Sequence, residues 1–548
     1  MRLLPAIIFI CWSTLITGND HRFRHLKSKP FDEMEIEHNS RSMLENSSVD
    51  HLLKDLIFNR PIDNMDNWKP LANTYSRFPE FYMDKLITSQ CQEIVFINAR
   101  LSDINQDFII SSVITCLNIT NNNIERIAKN AFRKLPNLTY LDLSHNNLNN
   151  PTELFSFGSH KNLKGLFLDN AIRKFEFRDK IEISEENYPN LEILSLRNNI
   201  FTDIWTSRMK FLIENSNIFQ FPNYLHTEND LSFSNHYIDD DIIQKAPFPK
   251  LKYLDLSGNN MISTDFVKLL PSTLRCLDLH NNLLTTLTLS DKGKNLLTLN
   301  LNNNNFYSVR KQSFVPFNLN ERYNQHTYNE YNSHDLIYQY NSALNLSGLE
   351  NLVYLSISNN KINFIESTAF QDINKLVYLN LSANEINNLD KNTFASLQSL
   401  STLDLSFNNL QSVPLFSRET NISVLFLNCN KIQKIISHSF IQTSRLTKLF
   451  LEENQIFEID IKAFDYLYNL EELNLSKNLL HFLPEGWTNH LLSLKYLNLS
   501  NNTFTSLESL PLINAVSLIE IHLIMNPLKH LNVNYFESLP QNLTINLM

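Results

Sequence analysis

The sequence predicts a repeat solenoid of the α/β class, a curved horseshoe with a concave parallel β-sheet and an irregular or helical convex side. Three observations predict it. The wording L-x-x-L-x-L-x-x-N-x-L recurs sixteen times between Leu117 and Leu528, usually 24 residues apart, as in Leu400-x-x-Leu403-x-Leu405-x-x-Asn408-x-Leu410. A unit that short cannot bury its apolar face alone, so successive units must stack and share one core. Within each unit the apolar residues at positions 4 and 6 flank an outward position 5, which is the period of a short strand.

Taken in order, the chain opens with a charged Arg2, an apolar stretch from Leu3 to Ile16 and a small residue, Gly18. Residues 1–18 are therefore expected to be a secretory signal peptide, too short to span a bilayer. Residues 19–90 carry no repeat and read as a polar extension. Residues 91–548 form the array, and Val95-x-Ile97 through Leu101-x-x-Ile104 is expected to supply a first, atypical strand.

Position 4 falls at Leu117, Leu141, Leu166, Leu194, Leu231, Leu254, Leu277 and Leu299, then at Leu355, Leu379, Leu403, Leu425, Leu449, Leu473, Leu497 and Ile521. Two steps break the period: 37 residues from Leu194 to Leu231 and 56 from Leu299 to Leu355. They imply insertions near 200–225, carrying Trp205, Phe211, Phe219 and Phe221, and near 318–341, the second either a loop or a decayed repeat. The Asn at position 9 sits where the chain leaves the sheet, and its amide can both donate and accept. A recurring aromatic further on (Phe132, Phe314, Phe370, Phe394, Phe440, Phe464, Phe536) is expected to be convex-side core. The final Leu543-Thr-Ile545-Asn-Leu547 reads as one more strand, whose open edge suits an end-to-end homodimer, glycan shielding or a truncated sequence.

The formal net charge is −10 and no run of Lys or Arg stands out, so a nucleic-acid partner is not expected. Cys91 and Cys116 lie one repeat apart and either pair or stay free, while Cys276 and Cys429 are expected to be unpaired. Ten N-x-S/T sequons, at Asn46, Asn118, Asn137, Asn345, Asn380, Asn421, Asn474, Asn498, Asn501 and Asn542, are glycosylation candidates in an exported chain. No glycine motif, zinc spacing or nucleophile arrangement is present, so neither cofactor, metal nor catalysis is expected. Asp142, Asp255, Asp278 and Asp404 occupy position 5, with Asp255 and Asp278 on adjacent strands about 5 Å apart. Leu-Asp-Leu-Ser is common repeat wording, which weighs against acid–base work there.

This pattern resembles the extracellular leucine-rich-repeat proteins of animals: Toll-type receptor ectodomains, chaoptin-like adhesion proteins and secreted relatives of the acid-labile-subunit type. The resemblance covers residues 95 to 547. It departs from them in having at most Cys91 of a cysteine-rich N-terminal cap and no cysteine after Asn526-Pro527. It implies a secreted binding protein serving adhesion, receptor assistance or immune recognition, with no membrane span in this chain and a protein ligand or cell-surface protein as partner. The expected contact surface is the concave face around Tyr354, Tyr378, Asp404, Phe426, Lys448, Phe450 and Glu452, with exposed aromatics as anchors between glycans on Asn380 and Asn474. Two other readings stand beside it: a truncated membrane-receptor ectodomain, and an intracellular scaffold or regulatory subunit.

Overall fold

The computed structural model describes residues 91–149, 155, 157–158, 160–172, 180–183, 188–206, 248–311, 343–512, 514–529, 532–536, 539 and 543–547. Among them, seventeen short strands form one parallel sheet in strict chain order. These are β1 (Glu93–Val95), β2 (Cys116–Asn118), β3 (Tyr140–Asp142), β4 (Gly165–Phe167), β5 (Ile193–Ser195), β6 (Tyr253–Asp255), β7 (Cys276–Asp278), β8 (Thr298–Asn300) and β9 (Tyr354–Ser356). They continue as β10 (Tyr378–Asn380), β11 (Thr402–Asp404), β12 (Val424–Phe426), β13 (Lys448–Phe450), β14 (Glu472–Asn474), β15 (Tyr496–Asn498), β16 (Glu520–His522) and β17 (Thr544–Asn546).

Register is fixed by the leucine at position 4, which pairs with its equivalent on the next strand: Leu379 with Leu403, Leu403 with Leu425, Leu425 with Leu449. These leucines are fully buried, as are those at position 6 such as Leu381, Leu405 and Leu427. Each such side chain removed from water contributes about 1.5–3 kcal/mol. A slip of one residue would turn every leucine outward, so the register has no close competitor.

The far side of the core is irregular rather than helical. The described residues there hold turns, short 3-10 segments such as Asp265–Leu269 and Leu507–Ser509, and one α-helix, Val533–Phe536. Phe132, Phe370, Phe394, Phe440 and Phe464 are buried on that side, and Phe440 stacks on Phe464 at 5.8 Å between ring centres. Phe314 lies outside the described residues.

Two expectations are corrected, at Leu231 and at the first strand. The predicted strand at Leu231 does not enter the sheet, because β5 pairs directly with β6, Leu194 against Leu254. Leu231, Phe211, Phe219 and Phe221 themselves lie outside the described residues. Trp205 belongs to a strand, Asp203–Thr206, that pairs with Lys180–Ile183 away from the main sheet. The second insertion likewise leaves the stack unbroken, since β8 pairs with β9. Its end, Ala343–Asn345, adds a strand between Leu287–Thr288 and Ser308–Val309 in a separate small sheet.

The first strand is shifted by one residue from expectation. Ile94, not Val95, pairs with Leu117, and Val95 and Ile97 are exposed while Ile94 and Phe96 pack on the core. Apolar residues of both parities occur in Ile94-Val95-Phe96-Ile97, so alternation could not choose between the two registers. Cys91 and Cys116 are joined by a disulfide, with Cα atoms 5.6 Å apart, tying the chain before β1 to β2.

Candidate partner-binding surface

Three ladders of polar residues shape the sheet side. At position 9 the asparagine amides bridge neighbouring repeats: Asn478 donates to Leu451 O at 3.0 Å, Leu475 O at 3.0 Å and Ser476 O at 3.1 Å. Its Oδ1 accepts Ile456 N–H at 3.0 Å. The amide thereby satisfies backbone groups buried at the turn. The ladder skips one rung, at Ala171, where Asn199 reaches across to accept from Ala171 N and Ile172 N.

At position 5 an Asp or Asn closes the turn by accepting the N–H of position 7, an Asx turn. Asp255 accepts from Ser257 at 2.8 Å, Asp404 from Ser406 at 2.9 Å, and Asn380 from Ser382 at 2.8 Å. Carboxylate and amide do the same geometric work, but only the carboxylate pays for burial. Burial pushes Asp142 up to about 6 and Asp404 up to about 6. Burial, reinforced by the neighbouring Asp278 charge, pushes Asp255 up to about 7. Burial alone would depress His280, but the Asp278 carboxylate 2.7 Å from its Nδ1 holds it above the usual value. Asp255 and Asp278 are register partners; Asp255 accepts the Ser257 N–H, while Asp278 accepts the His280 N–H and the Asn300 amide and meets the His280 ring. Among the described residues no group of three or more His, Cys, Asp or Glu is placed to hold a metal ion.

The third ladder went unread in the sequence. Asparagine directly before the position-1 leucine donates to a carbonyl of the previous repeat: Asn137 to Ser112 O, Asn162 to Pro136 O, Asn190 to Lys161 O, Asn351 to Lys294 O and Asn421 to Gln398 O. The signal was the recurring Asn-Leu of Asn137-Leu138, Asn162-Leu163 and Asn190-Leu191.

The seven residues expected to meet a partner share one face across β9 to β13 and the turn that follows. Tyr354 and Tyr378 stack in parallel, 4.5 Å between ring centres, and remain half-buried. Lys448 pairs with Glu472 at 3.5 Å, and Glu452 accepts from the Asn474 amide. The expectation of exposed anchors at Phe426 and Phe450 is corrected. Their rings lie 4.8 Å apart and nearly parallel, leaving them 3% and 4% exposed. Strand spacing of about 4.8 Å equals a ring-stacking distance, so aromatics in register cover one another.

One feature of this region had no counterpart in the sequence reading. Position 8 adopts the left-handed conformation in sixteen consecutive repeats, with φ between 48° and 66°. Ten of these residues are Asn, His or Gly: Asn98, Asn121, His145, Asn170, Asn198, Gly258, Asn281, Asn303, Asn359 and Asn501. Such residues tolerate this conformation best. Five successive repeats depart from the rule with Ala383, Phe407, Cys429, Glu453 and Lys477, and Met525 does so later. Phe407 is 36% exposed, the Cys429 thiol donates to Glu453 at 3.0 Å, and Lys477 pairs with Glu453. This row runs along the edge of the same strands that carry the Tyr and Phe stacks.

The pattern that defines the Leucine rich repeat family matches residues 98–148, 112–170, 350–410, 378–432, 444–504 and 468–528. Over those residues the chain carries leucine-rich repeats. No curated protein matches this chain. Several solved structures are similar to it. One is the crystal structure of a TLR13–ssRNA13 complex, 20% identical, covering 82% of this chain and 69% of that one, with a TM-score of 0.40. Another is the leucine-rich-repeat protein LIC12759 of Leptospira interrogans, 21% identical, covering 75% of this chain and 90% of that one, with a TM-score of 0.48. A third is the functional domain of InlJ from Listeria monocytogenes, 19% identical, covering 75% and 74%, with a TM-score of 0.42. No helix among the described residues is long and apolar enough to cross a membrane.

Where each sequon falls decides whether a native chain can carry a sugar there. Asn118, Asn380, Asn474 and Asn498 are 7%, 3%, 3% and 9% exposed. Their side chains are buried among the neighbouring repeats, so a glycan on Nδ2 there would have to displace the side chains that cover it. Asn137, Asn421 and Asn501 are exposed and Asn345 is half-buried. Asn46 and Asn542 lie outside the described residues. Site-resolved glycopeptide mapping of protein recovered from a secretory animal cell is expected to find sugar at Asn137, Asn421 and Asn501 and none at Asn380 or Asn474. Sugar at both Asn380 and Asn474 in folded protein would contradict the burial argument.

Proposed function

We propose that the protein is a secreted, N-glycosylated, non-catalytic binding protein that recognises a protein ligand or cell-surface protein. The contact surface is the sheet face from Tyr354 to Glu472 together with the adjoining turn row Ala383, Phe407, Cys429, Glu453 and Lys477. That row is the observation that carries the reading. A left-handed backbone costs a residue with a bulky side chain about 1–3 kcal/mol. Ten other repeats avoid most of that cost with Asn, His or Gly. These five accept it and set out an aromatic, a thiol, an acid and a base along one edge. Chemical variety kept against a conformational cost supports contact with a specific surface, and an aromatic beside a polar rim is a common anchor arrangement.

The test separates fold from contact. Asn is the cheaper residue at this φ, so Phe407→Asn is expected to leave the thermal midpoint nearly unchanged, the relieved strain offsetting the lost ring contacts. Saturable binding of the secreted protein to cells of its source organism is expected to weaken at least about tenfold, a loss of roughly 1.4 kcal/mol. Unchanged binding by a folded Phe407→Asn protein would move the surface elsewhere on the array. Retention of the unmodified chain in the cytosol would favour an intracellular scaffold instead.

A further inference from the structure

Alongside the early strands lies a groove of about 470 Å³, lined by Asn137, Thr139, Asn162, Lys164, Asn190, Glu192 and Lys250. It follows the ladder of asparagines that precede position 1, on the side where the chain enters β3, β4, β5 and β6. Its volume is within the range of small-ligand clefts. The lining consists of amides, a hydroxyl, two ammonium groups and a carboxylate, a set that matches a hydroxyl-rich ligand and offers an apolar one little. Lys250 Nζ donates to Asn190 Oδ1 at 2.6 Å, and Glu192 pairs with Lys252 at 3.4 Å, so the floor is held in place before any ligand arrives.

Asn137-Leu138-Thr139 is a sequon, and both its polar residues line this groove. We propose that Asn137 is a glycosylation site whose glycan is also the occupant of the groove: its first sugars lie along Asn162, Lys164, Asn190 and Lys250. This rests on the reading of the chain as secreted. In the modification, an oligosaccharide arrives on a lipid pyrophosphate. Its C1–O bond breaks, an Nδ2–C1 bond forms, and the amide proton leaves with the lipid pyrophosphate.

The Asn137 amide can give up that hydrogen without loss. One N–H satisfies Ser112 O at 2.7 Å, and a glycosylated amide still has one. The position-9 asparagines could not, because Asn408 donates to Leu381 O, Leu405 O and Ser406 O together. Asn421 stands at the same ladder position in a later repeat, exposed and donating to Gln398 O at 2.6 Å, and provides the comparison site.

The experiment uses the full chain secreted from an animal cell. Native protein is treated with a peptide-N-glycosidase and release is followed separately at Asn137 and Asn421 by mass spectrometry. The glycan at Asn137 is expected to be released at least about tenfold more slowly than that at Asn421, the protection that roughly 1.4 kcal/mol of contact gives. The two rates should become equal after denaturation. Lys164→Ala with Lys250→Ala should raise the native rate at Asn137 to that at Asn421. Equal native rates in the parent protein, or sugar at Asn421 with none at Asn137, would overturn the proposal. A chain that is never exported defeats the secretion reading first and this proposal with it, a result distinct from either of those.

Discussion

Replacing Asn478 by alanine is expected to cost about 2–3 kcal/mol, a large loss for a change of one polar side chain. Asn478 is 4% exposed and holds three carbonyls and one N–H from two repeats. Alanine leaves Ile456 N–H buried without a partner, at about 1–3 kcal/mol, and takes one of two donors from each carbonyl: Leu451 O keeps Asn454, Leu475 O keeps Asn502 and Ser476 O keeps Glu453 N–H. Asn478→Asp keeps the acceptor for Ile456 but loses every donor and sets a charge against carbonyl oxygens, so it should be no milder. Chemical denaturation gives the magnitude. Hydrogen exchange should show faster opening of the repeats from Leu451 to Leu480 than of those near β3, because each repeat is stabilised mainly by its neighbours. A loss below about 1 kcal/mol, the value of an ordinary exposed hydrogen bond, would mean that water replaces the ladder at no cost.

The second large effect is on pH. Asp142, Asp255 and Asp404 hold their protons up to about 6, 7 and 6 in the folded chain, against an ordinary carboxylate value of 3.8. Each folded-state value is raised, so the stabilisation is fully present below the unfolded value and is lost as pH rises through the folded one. Between roughly pH 4 and 7 the folded protein keeps protons that the unfolded chain releases, and stability falls by up to about 1.4 kcal/mol per pH unit per group. Glu452, Glu472 and His280 are also raised and act in the same direction. His160, depressed by burial, and Asp103, lowered by its bond to Arg126, act in the opposite one. The thermal midpoint is expected to be several degrees lower at pH 8 than at pH 5. Asp255→Asn keeps the turn acceptor, as Asn300 does in the strand two places on by accepting from Asn302 N–H. It should flatten the slope between pH 4 and 7 and stabilise the protein at pH 8. An unchanged slope in that variant would show that Asp255 titrates normally.

How far the sequence foretold this structure follows from what periodicity can encode. A leucine every 24 residues with a two-residue alternation determines strand, face and register together, so the sheet from β2 to β16 was legible except that no strand stands between β5 and β6, where one was expected at Leu231. Where both parities were apolar, at Ile94 to Ile97, the same rule was blind. Periodicity also says which side a residue points to, and nothing of what lies beside it. Phe426 and Phe450 do point away from the core, but each is covered by the other's ring. The left-handed row at position 8 escaped notice because Ala383, Phe407, Cys429, Glu453 and Lys477 share no chemistry; only backbone geometry unites them. The Asn137 ladder was readable and was overlooked, since the leucines beside it dominate the pattern.

The two insertions that leave the sheet unbroken bear on how fast it can assemble. Most neighbouring strands in the array are joined by a step of about two dozen residues, but Leu254 must find Leu194 across 60 and Leu355 must find Leu299 across 56. Closing the longer loops costs about 0.8 kcal/mol more in chain entropy. Growth along the stack should therefore pause at these two joints, and the array should fold as three runs that zip internally before they link.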